Sequence, residues 1–156
     1  YKKYNMITID ELKVLLDNKS RLLGVDMGAK RIGISVCDEN RKIATPYETI
    51  QFTNIKNLTS SLQKIISENS IKGIVFGLPL NMDGSEGRSA QSVKDRIKLI
   101  SKEINIPQIY WDERLSTSGS FNLSSQLDIN VSKKLKYIDQ NSATFILQGV
   151  LDYLNK

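Results

Sequence analysis

Three acidic residues, Asp26, Glu113 and Asp139, stand where the chain could use them for chemistry. Asp26 ends the apolar run Leu22, Leu23, Val25, which reads as a buried strand, and is followed by a short glycine turn and the hairpin partner Ile32, Ile34, Val36. Glu113 follows Ile106 to Trp111, a later strand that closes on Asp112-Glu113-Arg114. Asp139 lies one turn before Ala143 on a final helix whose buried face is Ala143, Ile146, Leu147, Val150 and Leu154, so it projects from that same side. If the first and fourth strands lie side by side, their ends bring Asp26 close to Glu113, and the helix lowers Asp139 onto the same spot. Clustered carboxylates repel one another unless cations sit between them. That donor set suits a hard divalent ion, and two such ions roughly 4 Å apart can activate water and stabilise the leaving oxygen in phosphodiester cleavage.

Each acid also has an ordinary explanation. A turn aspartate accepts backbone N–H bonds, which would account for Asp26 and for Asp83 in its Asp-Gly pair. An acid in the first turn of a helix gains from the helix dipole, which would account for Asp139. Neighbouring strand residues point to opposite faces, so Asp112 and Glu113 cannot both serve one ion; one of them is solvated or paired with an arginine.

Composition narrows the chemistry further. The chain has no histidine, which removes Ser-His and Cys-His nucleophilic catalysis, histidine-ligated zinc and imidazole acid–base steps together. Its one cysteine, Cys37, allows neither an internal disulfide nor a cysteine-clustered zinc site and reads as core filler. Hydrolysis must then rest on carboxylates, lysine or an oxygen-bound hard metal ion. The net charge of +5 suits a polyanionic partner or simply a soluble lysine-rich surface.

The elements that must position these residues follow from periodicity. At 156 residues the chain makes one domain, divided here into an N-terminal extension with a short helix over 1–20 and an α/β domain over 21–156. Thr8-Ile-Asp-Glu11 is a capping box ahead of Ile9, Leu12, Leu15 and Leu16. Lys42 to Phe52 reads as a third strand, with Pro46 fitting an edge or a bulge. Leu58, Leu62, Ile65 and Ile66 form a helical stripe, and Ile71 to Phe76 is a short apolar strand of the parallel-sheet kind. The polar loop Gly77 to Arg88 leads into a helix from about Ser85 to Ile104, and ligands bind at such loops in α/β sheets. Ser132 to Lys136 is a basic run before the last helix, which is placed from about Tyr137 to Leu154. Neither a membrane-spanning run nor a signal-peptide pattern is read, so a cytoplasmic protein is expected.

Four ordered stretches together resemble a known family. They are Gly24-Val-Asp26-Met-Gly28-Ala-Lys30-Arg31-Ile-Gly33, the loop Gly77-Leu-Pro-Leu-Asn-Met-Asp-Gly-Ser-Glu-Gly87, Asp112-Glu113-Arg114-Leu-Ser-Thr117, and Ile138-Asp139-Gln-Asn-Ser-Ala143 through Gln148. They look like the successive motifs of the YqgF family, also called RuvX and grouped with the Holliday junction resolvases. The resemblance spans about Arg21 to Asn155. It implies an α/β, ribonuclease H-like fold: a five-stranded mixed sheet with helices on both sides. It also implies a metal-dependent nuclease whose acidic triad falls on Asp26, Glu113 and Asp139.

The expectation is therefore a hydrolase: an endonuclease using Mg²⁺ or Mn²⁺ on structured RNA or branched DNA. Lys30, Arg31, Arg114, Lys133, Lys134 and Lys136 would meet phosphates. The family resemblance favours maturation of precursor 16S ribosomal RNA, with Holliday junction resolution second, by a monomer or a homodimer. Two rivals remain, a catalytically silent RNA-binding factor of ribosome assembly and an actin-like ATPase domain. The latter would need a second domain to close around ATP, more chain than is present.

Overall fold

The computed structural model describes residues 6–113 and 131–156, with the backbone alone over 131–141. Its elements are α1 (Ile9–Leu15), β1 (Arg21–Met27), β2 (Arg31–Cys37), β3 (Ala44–Gln51), α2 (Ile55–Asn69), β4 (Ile71–Leu78), α3 (Arg88–Ser101), β5 (Gln108–Asp112) and α4 (Val131–Leu154). The strands form one mixed sheet in the order β3-β2-β1-β4-β5. β1 and β2 pair antiparallel as the expected hairpin, and β4 and β5 run parallel to β1.

Alternation along the strands sends side chains to two different helical layers. Val25, Ile32, Ile34, Ile74 and Phe76 pack against α2 and α3. On the opposite face Leu22, Val75 and Ile109 meet Leu12 of α1 and Ile146, Leu147, Val150 and Leu151 of α4. The expected five-stranded mixed sheet with helices on both sides is present. Pro46 sits on the edge strand β3 beside a register shift between Ile34 and Ser35, where its missing N–H breaks no central ladder. The N-terminal segment runs along the other edge, where Met6 bridges to Gln108 and the Ile7 N–H donates to the Gln108 carbonyl.

Two helix starts differ from expectation. α3 begins at Arg88 rather than near Ser85, because the Asp83 carboxylate accepts both the N–H and the hydroxyl of Ser85 and holds that stretch as a turn. α4 begins at Val131, so Ser132 to Lys136 lies on the helix and not in a loop before it. Asp139 consequently falls in the third turn of α4. The helix dipole acts within the first turn, so it gives no account of that residue.

The close approach of α4 to the sheet has a specific cause. Gly24 presents no side chain where a Cβ would lie 2.8 Å from Leu147 Cβ, 2.9 Å from the Ala143 carbonyl oxygen, and against Ser35 Oγ. Ser35 Oγ instead donates to that carbonyl at 2.7 Å. Further along, Gln148 accepts from the Ala44 N–H and donates to the Lys42 carbonyl, and Asn155 donates to the Arg41 carbonyl. Arg41 in turn reaches the Ser20 carbonyl, just ahead of β1. α4 therefore runs antiparallel to β1, its earlier turns towards the strand end that carries Asp26.

Candidate active site

Asp26, Gly77 and Glu113 line up across the ends of three strands. Asp26 follows Gly24 by two residues on β1 and so shares its α4-facing side. Gly77 is on that side of β4, where an added Cβ would run into Ile146 of α4. Trp111 packs in the α4 layer, and Glu113, two residues on, faces the same way. β1 and β4 are adjacent as anticipated, but Glu113 follows β5, one strand further out. Its reach depends on the glycine between. A Cβ on Gly77 would stand 3.0 Å from Glu113 Cγ and 3.3 Å from Cδ. Over that gap the Glu113 carboxyl comes close enough to Asp26 for the two groups to influence each other.

Burial pushes the Glu113 carboxyl above its ordinary range, the bond to Asp26 pulls it partly back, and the charge of Asp112 adds to the rise. Half-buried carboxylates brought this close are oxygen donors suited to a hard cation, whose charge would relieve their mutual repulsion. The donor set therefore fits Mg²⁺ or Mn²⁺. Among the described residues no third acid completes the pair. α4 carries Asp139 one turn before Ala143, and its side chain lies outside the described residues.

The β1–β2 turn is held from the other side of the sheet. Arg96 of α3 donates to the Gly28 carbonyl at 2.7 Å and the Met27 carbonyl at 3.2 Å, with its guanidinium 5.7 Å from the centre of the Phe52 ring. Burial lowers the pKa of Arg96, yet two carbonyls and an aromatic face offset the lost hydration. The turn behind Asp26 is thereby fixed to α3. Between them opens a cleft of about 410 Å³, edged by Glu113 and walled in part by Arg88.

Of the basic residues singled out from sequence, Lys30 is exposed and Arg31 half-buried, both at the β1–β2 turn. Lys133, Lys134 and Lys136 lie on the first turns of α4, with side chains outside the described residues, as is Arg114 altogether. Sequence reading missed Gly77, Arg88 and Arg96. Arginine on an amphipathic helix reads as solvated, and Gly77 read as the start of a loop although it belongs to β4. Among the described residues no helix is long and apolar enough to cross a membrane.

Known proteins resemble this chain. The model of the family described as "RuvX: Holliday junction resolvase" matches residues 20–153. A protein of Pelagibacter ubique (strain HTCC1062) named "Putative pre-16S rRNA nuclease" is 59% identical over 150 residues, covering 96% of this chain and 99% of that one. A protein of the same name from Cereibacter sphaeroides (strain ATCC 17025 / ATH 2.4.3) is 41% identical over 148 residues, covering 95% and 92%. Among solved structures, RuvC of T. thermophilus in complex with Holliday junction substrate superposes with a TM-score of 0.56 at 8% identity, over 88% of this chain and 97% of the other. At that identity the likeness speaks for the ribonuclease H-like fold alone.

Proposed function

The chain belongs to the RuvX family, and from that premise we propose that it is a divalent-metal-dependent endonuclease that matures the 5′ end of precursor 16S ribosomal RNA. The observation that carries this reading is the meeting of Asp26 and Glu113 over Gly77. The names of its relatives support the choice of RNA.

Asp26 and Glu113, joined by Asp139 from the third turn of α4, supply the oxygen ligands that Mg²⁺ or Mn²⁺ prefers. An ion held there supplies Lewis-acid stabilisation of the charge that builds up as a phosphodiester is hydrolysed. The Arg96 clamp fixes the turn that follows Asp26, so little reorganisation is left for the moment of reaction. Lys30 and Arg31 at that turn, with Arg114, Lys133, Lys134 and Lys136, hold the phosphates on either side.

The test is cleavage of a panel: a precursor 16S leader, an unstructured RNA and a four-way DNA junction, each with Mg²⁺ or Mn²⁺. Wild type cuts the leader, and Asp26→Asn is slower by at least about 100-fold, as expected when several kcal/mol of charge stabilisation are lost. Equal cutting by the variant would sink the proposal. The description of the matching family favours a second reading, junction resolution. Preferential cutting of the four-way junction by a dimer presenting two sites would select it. RNA affinity without any Mn²⁺ binding at millimolar concentration would instead indicate a silent assembly factor.

A further inference from the structure

The cleft beside the carboxylates is built for something the carboxylates do not explain. Its α3 wall presents Arg88, Ser89 and Ser92, all exposed. None of the three side chains makes a hydrogen bond or ion pair with a described residue. The nearest acids on the preceding loop are engaged elsewhere. Glu86 is bound to Lys94 at 2.6 Å, and Asp83 accepts from Ser85. Arg88 shares the cleft with one acid, Glu113.

Apolar Met27, Ala29, Pro79 and Val93 line the same cleft. The cleft is preformed. The loop before α3 is tied by Asn81 N–H to the Ser85 carbonyl and Gly84 N–H to the Asn81 carbonyl, and Arg96 anchors the β1–β2 turn. A volume of about 410 Å³ sits near the lower end of the roughly 300–1,000 Å³ typical of small-ligand sites. It is large enough to take one nucleotide. A cation, two hydroxyls and apolar side chains lining one cleft match the phosphate, sugar and base of a nucleotide.

Resting on the nuclease reading, we infer that this cleft holds an unpaired nucleotide next to the scissile phosphate, with Arg88 on its phosphate and Ser89 and Ser92 on sugar and phosphate oxygens. The substrate class is then a structured RNA cut where a single-stranded flank leaves the duplex.

Binding, rather than cleavage, tests it. The probes are one RNA hairpin with short unpaired extensions on both ends and the same hairpin with blunt ends, measured across a salt series. Wild type prefers the extended hairpin. Arg88→Ala weakens the extended complex by about 10-fold, leaves the blunt one nearly unchanged, and makes the slope of log K against log salt shallower by about 0.7. Arg88→Lys retains the slope. Wild type showing no preference between the probes, or Arg88→Ala leaving the ratio between them intact, overturns the inference. Because no cleavage is read, this failure is separate from that of the nuclease reading, which Asp26→Asn decides.

Discussion

Gly77 matters to the site for the side chain it lacks. An added methyl would press on Glu113 Cγ and Cδ on one side and on Ile146 on the other. The Ile146 contact is with the far end of a flexible side chain and can give way. Glu113 must give by a few tenths of an ångström, which shifts its carboxyl relative to Asp26. Gly77→Ala should therefore fold, with a loss of about 1–3 kcal/mol in urea unfolding for the overpacked contact. Cleavage should fall by about 100-fold, since small misplacement of a reacting group costs that much. A variant as active as wild type would mean that Glu113 does not need its reach over β4. The acids themselves were legible in the sequence, because a carboxylate at the end of an apolar strand is conspicuous. What lets them meet was not, since nothing in a pattern of residue types distinguishes a glycine that opens a loop from one that makes room inside a strand. Arg96 was hidden for a related reason: its partners are backbone carbonyls of Met27 and Gly28, which no side-chain pattern reveals.

Among the elements, α4 and the β2–β3 hairpin lock each other in place. Ser35→Ala removes the hydroxyl that ties β2 to the Ala143 carbonyl and should lower stability by about 1 kcal/mol, with a matching shift in the urea midpoint. The hairpin adds a pH dependence. Asp38 accepts from the Ile43 N–H at 2.9 Å and the Lys42 N–H at 2.8 Å. The bond from Ile43 leads in holding its carboxyl below the ordinary aspartate range, against a small opposing effect of burial, with that from Lys42 adding to it. The folded state thus binds this proton less readily than the unfolded chain does, so acid favours unfolding. Asp38→Ala should be slightly less stable than wild type at neutral pH. The gap should close as the pH falls through the lowered pKa of Asp38, where the wild-type carboxylate takes up its proton. A gap of constant size across that range in thermal melts would contradict this. The hairpin, β4 and α2 were readable because a half-buried strand or helix must repeat its apolar residues at a fixed period. The start of α4 was not, because polar turns such as Ser132 to Lys136 carry no apolar stripe to mark the helix.

At the scale of the whole molecule, the fold brings residues from distant parts of the sequence to one end of the sheet and leaves a surface of net charge +5. The large apolar side chains exposed among the described residues, including Val14, Ile43, Met82 and Leu99, are spread over α1, the β2–β3 turn, the β4–α3 loop and α3. They form no single apolar face of the kind a stable homodimer buries. The central claim is that Asp26, Glu113 and Asp139 hold one cation site between them. Its most direct test is Mn²⁺ binding by calorimetry to wild type and to Asp26→Asn, Glu113→Gln and Asp139→Asn, each checked for folding by circular dichroism. The account predicts that wild type binds and that every one of the three substitutions weakens binding by at least about 10-fold. Wild-type affinity in a folded Asp139→Asn protein, or in either of the other two, would contradict it.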